Sequence, residues 1–215
     1  MRIKFLCVLF VAALTLAFSR ADASIVFNVD FESGNTGFQS DYTYYTPTTP
    51  VGMIPEDNYS IVAKPTDVHT LWYSFYDHTF GDGTGHMMVV NGSTTEGDRV
   101  WFKDIAMETG VTYVLTAWAA SVYPQNPANL EFKLGTNSLG TMQLPSTAGV
   151  WQEFTATFVA GEGEGQIAAI DLVLAYSGND FALDDVSLVA VPEPTTLLIW
   201  SVLGVLGAVA YSRRK

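Results

Sequence analysis

The fold class is inferred first from the segment Val111-Thr-Tyr-Val-Leu-Thr-Ala-Trp-Ala-Ala-Ser-Val122. It is rich in β-branched and aromatic residues, and it follows the turn dipeptide Thr109-Gly110. Its patterning has a period of two, which places alternate residues on opposite faces of an extended chain. This stretch therefore predicts one long β-strand.

Similar runs of four to nine residues lie on both sides of it, separated by clusters of Gly, Pro, Asn and Asp. The predicted strands are residues 25–31, 86–90, 111–122, 130–134, 151–158, 167–175 and 181–189. Turn signals such as Asn91-Gly92 and Gly135-Thr136-Asn137 follow two of them. Between residues 24 and 190 no helical stripe of useful length is present. A series of eight to ten strands with this spacing predicts one all-β domain, a β-sandwich.

The charge of this domain excludes two classes of partner. Between Ser24 and Val191 the basic residues are Lys64, Arg99, Lys103 and Lys133, against 20 acidic residues. Such a charge repels phosphate backbones and anionic lipid headgroups. Nucleic-acid binding and attachment to a membrane through a basic patch are therefore excluded, whereas cations and neutral ligands are compatible partners.

The N-terminal residues predict a secretory signal peptide, residues 1–23. Arg2 and Lys4 precede an apolar stretch at 5–18, and Ala21-Asp22-Ala23 places small residues where a signal peptidase cuts. A membrane anchor is the alternative, but about 14 residues rising about 1.5 Å each fall short of a hydrocarbon core about 30 Å thick. Cleavage removes Cys7, the single cysteine, and with it any disulfide or thiolate ligand.

The C-terminal residues predict one transmembrane helix at about 195–212. This uncharged stretch is followed by Arg213-Arg214-Lys215, which favours the cytoplasmic side and leaves the preceding domain outside. A helix buried in the domain core is the alternative. It is disfavoured because the stretch is apolar on all faces and because Val191-Pro-Glu-Pro194 prevents an earlier start.

Val191-Pro192-Glu193-Pro194, a short Gly-interrupted apolar helix and terminal Arg213 and Arg214 together resemble the PEP-CTERM sorting signal of Gram-negative bacteria. The resemblance covers residues 191–215. It implies that an exosortase recognises this tail through Pro192, Glu193 and Pro194. It also implies that the protein is anchored in the membrane at least transiently and delivered to the cell surface or the exopolysaccharide matrix.

Four short motifs in the body resemble the galactose-binding-like jelly rolls that serve as carbohydrate-binding modules in secreted bacterial proteins. The motifs are Asn28-Val-Asp-Phe-Glu-Ser-Gly34, Thr109-Gly-Val-Thr-Tyr113 with Trp118, Trp151-Gln-Glu-Phe154 and Phe181-Ala-Leu-Asp-Asp-Val-Ser-Leu188. The resemblance implies a jelly-roll β-sandwich over residues 24–190 that binds extracellular polysaccharide and has no catalytic activity.

The same resemblance implies a structural calcium ion. Asp30 and Glu32 lie two apart, so their carboxylates leave one face of the first strand. The resemblance places this strand near the last one, which carries Asp184, and carboxylates with backbone carbonyls are the ligands that calcium prefers. Leu183, Val186 and Leu188 cannot all face inward unless the last strand has a bulge, which would direct Asp184 toward the site. The alternative is that these acids cap turns and face water.

Aromatic residues suggest where a glycan would bind. In Leu71-Trp-Tyr-Ser-Phe-Tyr76 both faces of a predicted strand carry aromatic rings, which a single core does not explain. Exposed rings pack against the apolar face of a pyranose, while Asp, Asn or Gln bind its hydroxyls. Trp72, Tyr76 and Tyr123 are the predicted glycan-binding residues. The alternative for each ring is a place in the sandwich core or at its rim.

Enzymatic function has less support from the sequence. His69, His78 and His86 occur without an HExxH, HxH or GxSxG motif. The sequence thus predicts a non-catalytic surface or matrix protein, with two alternatives. A structural matrix or adhesion protein would lack a glycan site, and an exposed ring cluster at Trp72 and Tyr76 would argue against it. A small glycan-processing enzyme would need two carboxylates in one cleft, with the pKa of at least one raised.

Overall fold

The computed structural model describes residues 23–161, 165–174 and 176–191. The predicted signal peptide up to residue 22, the PEP-CTERM motif and the predicted membrane helix lie outside the described residues. Within the described ranges, no helix is long and apolar enough to cross a membrane. Residues Ser24–Ala190 form one compact unit.

The described residues form eleven β-strands and one short 3-10 turn at Pro65–Asp67. The strands are β1 (Ser24–Val29), β2 (Thr43–Tyr44), β3 (Asn58–Val62), β4 (Met87–Asn91), β5 (Arg99–Asp104), β6 (Thr112–Ser121), β7 (Asn129–Leu134), β8 (Asn137–Gln143), β9 (Gln152–Val159), β10 (Gln166–Asp171) and β11 (Phe181–Val191). The predicted all-β class is confirmed.

The strands make two sheets. One has the order β2-β3-β4-β11-β6-β9, with β1 also paired to β11, and the other has the order β5-β10-β7-β8. The start of β11 pairs antiparallel with β4, and its second half pairs antiparallel with β1. The last strand is therefore central to the larger sheet, and the loop that leads into it is held over the end of β4.

The main core lies between the two sheets. In β6, the residues Tyr113, Leu115, Ala117 and Ala119 are buried in this core, as the period-two pattern predicts. Rings from the two sheets also meet there, since Phe132 of β7 stacks on Phe154 of β9 with centroids 4.1 Å apart. Full burial of such a side chain contributes about 1.5–3 kcal/mol.

A second apolar cluster covers the outer face of the larger sheet. Met87 and Val89 of β4 and Ala182 of β11 belong to it, whereas their neighbours along each strand belong to the main core. Ile54, Val68 and Trp72 from the segments around β3 pack on these strands, together with Val62 and Val122. The larger sheet is therefore buried on both faces at β4 and β11.

The prediction of a strand at residues 71–76 is wrong. This segment makes no strand and runs over the outer face, where the Tyr73 N–H donates to the Val122 carbonyl at 3.1 Å. Trp72 is only 5% exposed, whereas Leu71 and Tyr73 are 63% and 56% exposed. Aromatic side chains of this segment, such as Trp72, pack on the outer face of the larger sheet. This packing overrides the strand propensity of the segment.

The predicted irregularity in the last strand is confirmed. Leu183, Val186 and Leu188 are all buried in the main core, and Asp185 between them has a φ of 47°. This left-handed residue absorbs one position of the alternation. Asp184 consequently lies on the outer side of the larger sheet and is fully buried there.

Candidate functional site

A cavity of about 390 Å³ lies beside the outer apolar cluster. Its walls come from the chain before β3, the segment after the 3-10 turn, the ends of β4 and β6, and the loop before β11. The lining residues are Met53, Ile54, Pro55, Glu56, His69, Leu71, Trp72, Asn91, Tyr123, Tyr176, Ser177, Gly178 and Asp180.

The wall before β11 is positioned by Asn179, which is fully buried and has a φ of 56°. Its side-chain N–H groups donate to the carbonyls of Val173 at 2.7 Å and Ser93 at 3.2 Å. Gly92 at the end of β4 lies directly against this amide, so that a Cβ there would be 2.2 Å from the Asn179 Cγ. Only glycine permits this approach, which brings Asp180 to the cavity wall.

Asp180 is a buried carboxylate held by two donors. Trp72 Nε1–H donates to its Oδ2 at 3.2 Å, and the Gly92 N–H donates weakly to its Oδ1 at 3.4 Å. The residue is 5% exposed. Burial raises its pKa to about 7, and the charges of Glu56 and Asp171 add to this rise. Near neutral pH the carboxyl therefore exists in both protonation states.

His69 supports Trp72 from the other side. The two rings stack with centroids 4.5 Å apart and an interplanar angle of 19°. The Leu71 N–H donates to His69 Nδ1 at 3.3 Å, which assigns the ring proton of the neutral imidazole to Nε2. Burial lowers the pKa of His69, so the imidazole is uncharged at neutral pH.

Glu56 is the second carboxylate of the cavity. Its Oε2 is buried and has no hydrogen-bond partner among the described residues. Burial and the neighbouring charge of Asp57 raise its pKa. A buried acceptor without a donor costs about 1–3 kcal/mol, and more when it is charged, so a ligand that supplies a donor here gains that free energy.

The rim of the cavity is apolar. Tyr176 is 86% exposed, and Leu71 and Met53 are 63% and 57% exposed. Tyr123 is partly buried on the wall. An exposed tyrosine ring beside a cavity with polar groups inside is the arrangement that a sugar-binding site needs.

The structure brings together two of the three predicted glycan-binding residues. Trp72 and Tyr123 both line the cavity, although the Trp72 ring is largely covered. Tyr76 is 44% exposed but is not a lining residue, and its ring lies against Gly83, where a Cβ would be 2.7 Å from its Cε1. Trp72 and Tyr76 therefore do not form an exposed ring cluster.

The predicted calcium ligands are distributed over two places. Asp30 accepts hydrogen bonds from the Asn28 side chain and the Glu32 N–H, and Glu32 Oε1 accepts from the His86 N–H at 2.9 Å. Among the described residues no three His, Cys, Asp or Glu side chains form a group that could hold a metal ion. The set Asp30, Glu32 and Asp184 thus stays a prediction.

Asp184 anchors the loop after residue 76. Its Oδ2 accepts from the N–H groups of His78 at 2.8 Å and Thr79 at 3.4 Å, and its Oδ1 accepts from the Asp185 N–H. Burial and the charge of Asp185 raise its pKa to about 8. The His78 ring stacks on Trp118 with centroids 3.9 Å apart and contacts Asp185 through Nδ1 at 2.6 Å.

A different acid lies beside Glu32. Asp77 is 2% exposed, and its Oδ1 has no hydrogen-bond partner within the described chain. A Cβ built at Gly85 would be 2.4 Å from Asp77 Oδ2 and 2.6 Å from Glu32 Oε1. The two carboxylates therefore lie close together beside a glycine, where Asp77 Oδ2 accepts from the Phe80 N–H and Glu32 Oε1 accepts from the His86 N–H. The Asp77 Oδ1 is the oxygen of this pair that is buried without a donor among the described residues.

No protein-family model and no curated protein matches the sequence of this chain, but solved structures share its fold. The CBM22-1 xylan-binding domain of Paenibacillus barcinonensis Xyn10C has a TM-score of 0.54 at 11% identity, over 82% of this chain and 100% of that domain. The CBM22-1–GH10 modules of Clostridium thermocellum xylanase 10B, complexed with xylohexaose, have a TM-score of 0.52 at 14% identity, over 80% of this chain and 29% of theirs.

A Stig cyclase, Fisc from Fischerella sp. TAU, has a TM-score of 0.51 at 15% identity, over 80% of this chain and 100% of that chain. The chain therefore has the β-sandwich fold of carbohydrate-binding modules, and an enzyme has this fold as well. Since one fold hosts different functions, the function of this chain has to be argued from its cavity.

Sequence reasoning missed Glu56, His69, Tyr176 and Asp180. The signal for Asp180 is the stretch Ser177-Gly178-Asn179-Asp180 directly before an apolar strand, where an acid at the strand start is covered by neighbouring loops. For the other three residues the chain offers no local signal, because their meeting depends on how separate loops pack.

Proposed function

We propose that this protein is a non-catalytic polysaccharide-binding module and that the cavity between Glu56 and Tyr176 is its binding site. The observation that carries the proposal is the exposed Tyr176 ring at the rim of a cavity with polar groups inside. The fold of xylan-binding domains supports the same function. A purely structural protein would have no need for a buried acceptor without a partner at such a cavity.

A bound sugar ring would pack its apolar face on Tyr176 and direct its hydroxyls inward. Glu56 would accept from a hydroxyl, and the Nε2–H of His69 would donate to one. Asp180 acts indirectly, because the hydrogen bond from Trp72 Nε1 holds the Trp72 ring in the cavity wall. The cavity thus provides an acceptor in Glu56, a donor in His69 and an apolar ring in Tyr176. Together these groups would fix the orientation of a bound sugar.

The test is affinity electrophoresis and calorimetry of the full chain with xylohexaose, xylan and other polysaccharides. The Tyr176→Ala variant should bind about 10-fold more weakly, as expected for the loss of a stacking ring. Tyr76→Ala is the matched control, since Tyr76 is also an exposed tyrosine but lies off the cavity. Equal weakening in both variants, or no binding by the wild type, would refute the proposal.

A glycan-processing enzyme is the second candidate. One cavity contains two carboxyls, and the pKa of Asp180 is raised to about 7, which is the requirement for such an enzyme. Against it, both Asp180 oxygens accept hydrogen bonds from the protein. Release of new reducing ends by the wild type, lost in Asp180→Asn while binding is retained, would overturn the non-catalytic proposal.

A calcium ion is proposed at Glu32 and Asp77. Two carboxylates fit a hard cation, and the remaining ligands would be backbone carbonyls and water. The partnerless Asp77 Oδ1 supports the proposal. Calcium should raise the melting temperature of the wild type relative to chelator, and Asp77→Asn should abolish the difference. A wild-type melting temperature that does not respond to calcium would exclude the site.

We also propose that the protein is exported and sorted to the cell surface by an exosortase. The support is the sequence motif at Pro192, Glu193 and Pro194 with the basic end at Arg213 and Arg214. In a host with an exosortase, the wild type should reach the surface fraction, and replacement of Pro192-Glu-Pro194 by three alanines should retain it in the inner membrane. Equal surface fractions for both proteins would refute this sorting.

A further inference from the structure

The cavity has an unbalanced charge. Its described lining residues include the acids Glu56 and Asp180 and contain neither lysine nor arginine. The one imidazole, His69, is uncharged at neutral pH because burial lowers its pKa. A ligand in the cavity therefore meets negative charge without a compensating positive group.

The negative groups are close enough to act on one another. The charges of Glu56 and Asp171 both raise the pKa of Asp180. Asp171 is 4% exposed, and its Oδ2 is buried without a partner among the described residues. In a partly desolvated site such charges interact strongly, so a cationic ligand relieves their mutual repulsion and an anionic ligand increases it.

The uncharged lining also favours a cation. Tyr176, Tyr123 and Trp72 border the same space, and aromatic faces attract an ammonium group within about 6 Å of the ring. An ammonium carries three N–H donors. It can therefore satisfy the Glu56 carboxylate with a charge-assisted bond, which is about twice as strong as a bond from a neutral hydroxyl.

We propose that the cavity selects glycans with free amines, in which a cationic amino-sugar unit sits against Glu56, and that it rejects glycans rich in uronic acid. This inference rests on the proposed polysaccharide-binding function and specifies the class of sugar. Acetylation of the amine removes both its charge and two of its three donors. The acetylated and free forms of one oligosaccharide therefore differ at the feature that the cavity reads.

The test is calorimetry of the full chain at pH 7 and physiological salt with four oligosaccharides of equal length. They are a β-1,4-linked glucosamine hexamer, its N-acetylated counterpart, xylohexaose and an oligogalacturonate. We expect the glucosamine hexamer to bind at least about 10-fold more tightly than the N-acetylated hexamer, and the oligogalacturonate not to bind. Glu56→Gln should abolish the preference for the free amine, since one charge-assisted bond is worth about 10-fold or more.

Glu153→Gln is the matched control, because it removes the same charge from an exposed residue of β9 outside the cavity. If Glu153→Gln reduces the preference as much as Glu56→Gln does, the selectivity is a property of the whole acidic surface and the inference is wrong. Equal binding of the free and acetylated hexamers also overturns it, while leaving polysaccharide binding intact. Absence of binding to every oligosaccharide overturns both proposals.

Proton release on binding is a second readout. It distinguishes binding inside the cavity from electrostatic attraction of the amine to the acidic surface as a whole. A cation beside Asp180 favours its ionised form, so binding should release a fraction of a proton near neutral pH. The amines of the hexamer also exchange protons near neutral pH, and they do so in both proteins. The dependence of the calorimetric enthalpy on the ionisation enthalpy of the buffer should therefore differ between wild type and Asp180→Asn by the proton that Asp180 releases. The same dependence in both proteins would place the amine away from Asp180.

Discussion

Asp180→Asn should change how the stability of this protein depends on pH. The pKa of Asp180 is raised from an ordinary 3.8 to about 7, so the native state retains a proton that the unfolded chain has already released. Between these two values the free energy of unfolding falls as pH rises, and it is level above pH 7 for this group. Protonation of Asp180 therefore stabilises the native state relative to the unfolded chain.

The size of the effect follows from the two pKa values. Each pKa unit corresponds to about 1.36 kcal/mol. Between pH 5 and pH 8 the wild type should therefore lose about 2 to 3 kcal/mol more than a variant that has no proton to release. Asparagine mimics the protonated acid, because its amide oxygen can accept from Trp72 Nε1.

The assay is urea denaturation at pH 5 and pH 8, followed by tryptophan fluorescence, for wild type, Asp180→Asn and Glu153→Gln. Asp184, whose pKa is raised to about 8, titrates in all three proteins and cancels from the comparison. Asp171, whose pKa is raised to about 6, interacts with Asp180, so its change on substitution is part of the measured difference. Glu153→Gln should follow the wild type, because its carboxylate is exposed. Equal losses in wild type and Asp180→Asn would show that Asp180 is ionised in the native state without cost, and would refute the reasoning.

Two further substitutions test the framework around the site. In urea denaturation, Gly92→Ala should lower the free energy of unfolding by about 1–3 kcal/mol, because its Cβ would lie 2.2 Å from the Asn179 amide. Unchanged stability would show that the loop before β11 moves freely. Asp184→Ala should lower the free energy of unfolding by about 1–3 kcal/mol. It should also speed hydrogen exchange at the His78 and Thr79 amides, which lose their acceptor. Amides that stay protected in the variant would contradict the anchoring role.

Two kinds of strand were predictable from sequence. β6 and β7 alternate between buried and more open residues, whereas β4 and β10 are almost wholly buried apolar runs next to turn signals. β6 is predicted to within one residue at each end, and the buried members of its alternation are those expected. β3 was not predicted, because its buried residues include the polar Ser60, so that Asn58-Tyr-Ser-Ile-Val62 shows neither a clean alternation nor an apolar run. β8 was not predicted for the opposite reason, since it is mostly exposed and polar.

The candidate site was only partly predictable for a physical reason. Trp72 and Tyr123, which line the cavity, could be predicted as candidates because aromatic rings can pack against a sugar. Asp180 is one of 20 acids in the body, and what distinguishes it is burial by Trp72 and Gly92, residues distant in the chain. Sequence shows which groups can titrate, whereas the packing of loops determines which of them lose their water.

One uninterrupted connection, between β3 and β4, contributes Val68, Trp72 and Phe75 to the apolar cluster on the outer face of the larger sheet. β3 ends at Val62 and β4 begins at Met87, and these two residues are paired neighbours in the sheet. Residues 63–86 thus leave and re-enter the framework at almost the same point, and they carry His69, Trp72 and the loop of Asp77. A segment with adjoining ends can be exchanged as a cassette at little cost in chain closure. Transplanting it between related sandwiches would offer a route to new ligand preferences on an unchanged scaffold.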